Sequence, residues 1–242
     1  MISRARLVAL LFLLAATLAT ELLYLPAATG GFLRDDFRYL DQAQTIPFSQ
    51  HPWLALRKGA FHYFRPVYSM LWSILYSLFG LHPLPYHLFS LGLHLLITIL
   101  LALWVDQITE DPFAAGVAGL FFAVLPPHPE VVIWISANVD LLASVFSLGA
   151  IMAYHRFSQR QNWWWFAITL LSSALAMLSK EFAFLLPLLI PLFDLTRKGL
   201  VRPDRNRLTI PRLRRLKRGA DQDFRYRLIW QYLQGAFTVV NP

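Results

Sequence analysis

The chain has no cysteine among its 242 residues, carries little charge, and has fewer acids than bases, 14 against 22. Without cysteine there is neither a disulfide framework nor a thiolate metal site, while the compartment stays open because membrane proteins without cysteine occur on either side. Only 15% of residues are charged and 57% are hydrophobic, which excludes an ordinary soluble domain and defines an integral membrane protein. The formal charge of +8 would be compatible with nucleic acid, but its distribution argues against that. Most of it lies in one segment near the C-terminus, with no aromatic or motif support for nucleic-acid binding.

What the sequence does contain is a series of apolar runs. A hydrocarbon layer about 30 Å thick needs about 20 apolar residues per spanning helix, so the length allows about six spans with short loops in one membrane domain. A short basic start, residues 1–6, precedes the apolar run 7–26. Ala27 and Ala28 downstream allow a cleaved signal peptide, but the length of the run and the spans that follow favour an uncleaved first helix with its N-terminus inside. Further runs cover residues 86–105, 113–125, 138–154, 163–179 and 182–195. The last contains Pro187 and Pro191, which predict a kink tolerated where neighbouring helices satisfy the freed carbonyls.

Residues 67–79 are apolar but short, bounded by Pro66, Gly80 and Pro83, and rich in Tyr, Trp and Ser. That composition predicts a helix lying in the membrane interface rather than crossing it. The rule that loops rich in Lys and Arg stay inside supports this. With residues 67–79 not spanning, the first loop, residues 27–85, lies outside, and Arg156, Arg160 and the basic segment from Arg197 to Arg227 fall inside. The acidic loop at residues 106–111 also ends up inside, a weak objection because acids count little in orientation. The domain plan is therefore a membrane domain over residues 1–196 and a basic cytoplasmic segment over 197–242, held near anionic lipid headgroups by its charge. Residues 228–240 read as the start of a further span, as in a fragment of a longer protein.

Three polar sites share the outer face in this topology. In the first, Asp35 and Asp36 sit between Arg34 and Arg38. Neighbouring carboxylates repel and favour one proton between them, whereas flanking arginines favour ionisation, so at least one should be charged at neutral pH. Such a carboxylate can serve as general base or hold a hard metal ion; equally, Asp35 can be a helix cap in a solvated loop. The second site is "PPHPEVVIWISANVD", with His128, Glu130, Asn138 and Asp140. Its prolines predict no regular helix around His128, only a corner tolerated at membrane depth where it lines a cavity. His128 and Glu130 lack the i, i+4 spacing of a helical zinc site, and Asp140 is expected to pair with Lys180 or Arg65. The third is "SKE". Lys180 and Glu181 interrupt an otherwise apolar stretch, where an ionisable group costs roughly 2.5–3.5 kcal/mol at the bilayer centre and less near the interface. They read either as a wet outer turn or as an anion site, with phosphate the obvious anion. His87 and His94, on one face of a helix, read as packing or hydrogen-bonding residues rather than ligands.

The order of these motifs, "RDDFRYLDQ", "FRPVYSMLWSILYSLFG", "FAVLPPHPEVVIWISANVDLLA" and "LSKEFAFLLPLLIPLFDL", resembles the C-type glycosyltransferases that use polyprenyl-phosphate-linked sugars. The likeness is nearest to the protein O-mannosyltransferase-like branch with its transmembrane and tetratricopeptide-repeat mannosyltransferases; the bacterial aminoarabinose transferases for lipid A share the layout more loosely. It covers residues 7–195. The resemblance implies an all-α, polytopic membrane helix bundle with an interfacial helix in the first outer loop. It implies Asp35 as catalytic base with Asp36 its acidic neighbour, Arg38 at the sugar or phosphate, and Arg65 and Lys180, beside Glu181, at the donor phosphate. His128, Glu130, Asn138 and Asp140 occupy the second outer motif.

The implied reaction is an inverting transfer from a polyprenyl-phosphate sugar to a protein or lipid acceptor on the extracytoplasmic face. Such a protein is expected in a bacterial inner (plasma) membrane with its N-terminus in the cytoplasm. The resemblance fixes no cofactor, and a divalent metal is left open because some relatives use one and others do not. Membrane lipid is an expected partner and nucleic acid is not. A transporter or flippase-like subunit for a lipid-linked substrate would use the same cations without needing Asp35, and an inactive truncated scaffold would need neither.

Overall fold

A computed structural model describes residues 4–56, 63–125 and 128–198. Two compact units divide the chain, Met1–Ile190 and Pro191–Pro242. Within the described residues the structure is helical, without a β-strand. The α-helices are α1 (Arg4–Tyr24), α2 (Asp35–Thr45), α3 (Pro66–Phe79), α4 (Pro83–Thr109), α5 (Pro112–Val124), α6 (His128–Ile133), α7 (Val139–Arg160), α8 (Trp163–Met177) and α9 (Leu186–Lys198). Tighter 3₁₀ turns fill Leu25–Thr29, Phe48–Leu56, Ile135–Asn138 and Glu181–Leu185.

Two helical hairpins organise the first unit, and both turn on the same device. At the end of α4, Glu110 takes a left-handed conformation with φ 55° and its N–H donates to Asp106 O at 2.9 Å. Asp111 then caps α5, its Oδ1 accepting from Phe113 N–H at 3.0 Å and Ala114 N–H at 3.4 Å, with Pro112 at the first helical position. At the end of α7, Gln161 has φ 51° and donates to Phe157 O at 2.8 Å, after which Asn162 caps α8 by accepting from Trp164 N–H at 2.9 Å. A left-handed residue followed by an Asx cap satisfies the orphan carbonyls of one helix and the orphan amides of the next, so each chain reversal needs few residues.

The hairpins pack around α4, which contacts both α5 and α7, while α1 lies against α5. Small residues bring α1 and α5 together: a β-carbon added at Gly116 would meet Phe12 Cβ at 2.7 Å. Phe12 also meets Phe113 edge to face at 5.4 Å. Close approach through glycine is how helices associate where no hydrophobic effect drives them together. Outward, leucines line α1 and α8, among them Leu14, Leu18, Leu22, Leu170 and Leu171. Trp163 and Trp164 stand exposed beside the Gln161–Asn162 turn, as aromatic residues do at a membrane surface.

Two helical stretches, Pro83–Thr109 and Ile135–Arg160, are long and apolar enough to cross a membrane. Of the six expected spans, α5 with 13 residues, α8 with 15 and α9 with 13 are shorter than the roughly 20 that a full crossing takes. The expected interfacial helix is α3, which packs on α2 and on the Phe48–Leu56 turn. Around His128 the sequence expectation is corrected: α6 begins there, with Pro129 in its first turn. Proline is tolerated at that place because its missing N–H would have had no helical partner. In the segment 182–195 the change of structure comes before the two prolines expected to mark it: a 3₁₀ turn passes into α9 at Leu186, and α9 then runs on through Pro187 and Pro191. Most of the basic segment 197–242 and the start of a further span at 228–240 lie outside the described residues.

Candidate functional site

The site lies at the end of the hairpins away from the two tight turns. It is built on the 3₁₀ turn Ile135–Asn138, which three helices hold. From α2, Asp36 Oδ1 accepts from Ser136 N–H at 2.7 Å and, in a shorter bond, from Ser136 Oγ. From α3, Tyr68 Oη donates to Ser136 O at 2.8 Å. From α4, Ser90 Oγ accepts from Asn138 Nδ2 at 3.0 Å. Beneath them an aromatic core fills the space between α2, α3 and α4: Tyr39 stacks on Trp72 at 5.2 Å, Tyr68 meets Tyr39 edge-on at 5.2 Å, and Trp72 lies 5.4 Å from Tyr86.

The two adjacent aspartates have opposite surroundings. Asp36 is 0% exposed, and besides Ser136 it accepts from Leu33 N–H at 2.8 Å, while its own N–H donates to Leu33 O at 2.9 Å. Burial pushes its carboxyl pKa up, against hydrogen bonds from Ser136 and Leu33 and the nearby His87. All three partners of its oxygens are donors, so the ionised form fits the geometry. The cap expected of Asp35 is not made, since α2 has no side-chain capping bond, and Asp36 instead ties the chain back to Leu33, just before the helix. Asp35, the first residue of α2, is exposed. The preceding Arg34 has φ 44°, no side-chain capping bond, and a guanidinium 5.9 Å from the centre of the Trp134 ring.

Tyr39, one turn after Asp35, links this end to the cations. Burial raises its phenol pKa to about 12; Arg65 and Arg38 pull the other way, Arg65 also by a hydrogen bond, and the charge of Asp35 adds to the rise. Arg65 forks onto Glu181, Nε to Oε1 at 2.8 Å and Nη2 to Oε2 at 2.7 Å, and lies 4.4 Å from the centre of the Tyr63 ring. Burial works against the Arg65 charge, yet the hydrogen bond and charge of Glu181 together with Tyr39 outweigh it and hold its pKa above the ordinary value. Glu181 is in turn held below its ordinary value, first by the Arg65 hydrogen bond, with burial opposing. Lys180 pairs with Asp140 at 2.5 Å, one of the two partners expected for that aspartate. A backbone bond from Val67 N–H to Leu178 O at 3.2 Å ties the start of α3 to the end of α8.

Contacts thus tie the three polar motifs together, Arg65 to Glu181, Lys180 to Asp140, and Asp36 to the Ser136–Asn138 turn, while Asp35 and Arg38 act on Tyr39 through their charge. Arg38 is exposed and close enough to influence Tyr39. Glu130 is exposed, with its backbone O accepting from Trp134 N–H at 3.0 Å; the His128 side chain lies outside the described residues. His94 packs as expected, edge-on to Tyr24 at 5.5 Å and stacked on Phe122 at 5.3 Å, and His87 is buried beside Asp36. Among the described residues no three His, Cys, Asp or Glu side chains come together as a metal set. Ser136, Tyr39 and Tyr68 were not legible as site residues. Ser136 carries only a faint signal, a small polar residue in the otherwise apolar "VVIWIS".

The class defined by this fold and site is a helical protein with helices long and apolar enough to cross a membrane and a cluster of paired acids and bases at one end of them. The match to known families narrows it. Residues 59–207 match the family described as dolichyl-phosphate-mannose-protein mannosyltransferase, and the chain belongs to that family. Protein O-mannosyl-transferase TMTC2 of Mus musculus is 29% identical over 175 residues, 66% of this chain and 21% of that protein. Protein O-mannosyl-transferase Tmtc1 of Drosophila melanogaster is 29% identical over 182 residues, 71% of this chain and 21% of that protein. TMTC3 of Homo sapiens, of the same printed name, is 32% identical over 121 residues, 49% of this chain and 13% of that protein. The chain thus spans about a fifth of the first two relatives. No solved structure matches it.

Proposed function

We propose that the chain is the membrane-embedded catalytic portion of a glycosyltransferase that moves a sugar from a polyprenyl-phosphate donor to a protein or lipid acceptor on the extracytoplasmic face. The observation that carries this reading is the meeting of the three motifs: an exposed carboxylate at Asp35 and a cation at Arg65 that both act on Tyr39, with Arg65 paired to Glu181 and the adjacent Lys180 paired to Asp140. Asp35 takes the proton from the acceptor hydroxyl as its oxygen attacks the anomeric carbon. The bond from that carbon to the donor phosphate breaks on the opposite face, and the lipid phosphate leaves with the electron pair, its charge met by Arg65 and Lys180. Proton removal by a placed base contributes typically 10²–10⁴-fold, and charge stabilisation on the leaving group a comparable or larger factor. Family membership supports mannose as the sugar.

The membrane arrangement belongs to the same reading. Helices α1, α4 and α7 are the long crossings, and the shorter α5, α8 and α9 complete a set of six, with the N-terminus on the cytoplasmic side of a bacterial inner membrane. Arg156 and Arg160, near the end of α7 and its tight turn, lie at the opposite end of that helix from Asp140, which supports a cytoplasmic turn end and an outer site.

Transfer of labelled sugar from polyprenyl phosphate to membrane acceptors, comparing the native chain with Asp35→Asn, tests the proposal. A loss of 10²-fold or more is expected from removing the base; equal transfer by both would remove it from Asp35.

A further inference from the structure

An exposed base at the first position of a helix is useful only if that first turn is held still, and the backbone leading into α2 does not hold itself. Arg34 sits at φ 44° and offers no side-chain cap, a conformation that a residue with a β-carbon resists. What holds the turn is Asp36, and what holds Asp36 lies 100 residues further along the chain. Ser136 donates to one carboxylate oxygen with both its N–H and its Oγ, leaving the other oxygen for Leu33 N–H. The Ser136 post is itself fixed, by Tyr68 Oη on its carbonyl at 2.8 Å and by Asn138 bonded to Ser90 two residues later. Asp36, Ser136, Tyr68, Asn138 and Ser90 are all buried, whereas Leu33 at the edge of the clasp and the neighbouring carboxylate, Asp35, are exposed.

We propose that Ser136 is a positioning residue: through Asp36 it clamps the first turn of α2 against the Ile135–Asn138 turn and so fixes the direction in which Asp35 presents its carboxylate. The inference rests on Asp35 being the base, and it assigns the second outer motif a task that does not involve touching substrate. It also separates the work of the two aspartates, one held for geometry and the other left open for chemistry. Precision of this kind matters because a shift of about 1 Å in a reacting group costs about 10²-fold in rate.

Because the chain lacks cysteine, a single spin label can be placed at Asp35→Cys and another, as reference, at Thr109→Cys at the far end of α4. Ser136→Ala is expected to increase the mobility of the label at position 35 and leave that at 109 unchanged, while Ser136→Thr, which keeps a hydroxyl, leaves both as they were. No change at 35, or equal loosening at both positions, would overturn the proposal. In transfer assays Ser136→Ala should lower kcat about tenfold with KM for the polyprenyl-phosphate donor within about twofold, and have no further effect on Asp35→Asn. Full transfer by Asp35→Asn would sink the base assignment while the label result still decides the clasp; a Ser136→Ala loss that persists undiminished in the Asp35→Asn background would make Ser136 a general fold residue.

Discussion

Glu181 turns both carboxylate oxygens to the Arg65 guanidinium across 116 residues of sequence, at 2.8 and 2.7 Å. The fork that receives a carboxylate in this way also matches a phosphate, so in the proposed reaction the donor phosphate competes with Glu181 for Arg65. The side chain of Arg65 is 16% exposed and that of Glu181 is 45% exposed, which makes the glutamate the partner that solvent can more readily take over. Glu181→Gln should therefore bind polyprenyl phosphate more tightly than the native chain, by up to about tenfold for loss of one charge-assisted competitor, and Arg65→Gln should bind it more weakly. Ligand titration of the purified protein in detergent measures both, and weaker binding by Glu181→Gln would make the glutamate a support for Arg65 instead.

The same pair sets a dependence on acid. Glu181 is held below its ordinary value of 4.5 by Arg65. A depressed carboxyl pKa adds stability that is fully present above the unfolded value and is lost as pH falls through the folded one. With the glutamate nearly half in solvent, screening limits the pair at neutral pH to about 1 kcal/mol or less. Thermal unfolding at pH 7 and near pH 3.5 should show the native chain losing more on acidification than Glu181→Gln, and parallel losses would remove the linkage.

Which parts of this arrangement can be read from the sequence follows from how local their causes are. The helices of the two hairpins are legible as separate apolar runs, 86–105 and 113–125, then 138–154 and 163–179, whereas the Asp111 and Asn162 caps that set the turns are seen only in the structure. The Asp140–Lys180 pair is also legible, since an acid and a base each stranded in apolar sequence have few other ways to be satisfied. The division of labour between Asp35 and Asp36 is not, because both sit in the same local sequence and the difference is made by Ser136, far along the chain. The helix beginning at His128 is missed for another reason: three nearby prolines look like a barrier, although proline in a first turn obstructs nothing. Tyr39 and Tyr68 look like core residues and are core residues; their hydroxyls acquire a role only from Arg65 and the Ser136 carbonyl.

The α1–α5 contact predicts that two glycines respond to the same substitution in opposite directions. An added β-carbon at Gly116 would lie 2.7 Å from Phe12 Cβ, whereas one at Gly92 meets nothing within 4 Å. Gly116→Ala should destabilise by about 1–3 kcal/mol through overpacking, and Gly92→Ala should stabilise by about 0.5–1 kcal/mol by removing the entropic cost of glycine in a helix. Thermal unfolding in detergent distinguishes them, and equal shifts would mean that α1 can move aside freely.

Lys180 and Asp140 allow pairing to be separated from phosphate binding. At 2.5 Å, with side chains 25% and 34% exposed, the pair is partly screened, so breaking it by Lys180→Ala should cost about 1–2 kcal/mol, mainly because Asp140 is left without its partner. Exchanging the two charges, Asp140→Lys with Lys180→Asp, restores an ion pair across the same gap but moves the cation to α7. If Lys180 served only to neutralise Asp140, the exchanged protein would recover both thermal stability and sugar transfer. The proposed contact with the leaving phosphate requires a different result: stability returns to within about 0.5 kcal/mol of native, the usual limit for a surface exchange, while donor binding and transfer stay depressed. Recovery of transfer together with stability would take Lys180 out of the phosphate site and leave Arg65 as its cation.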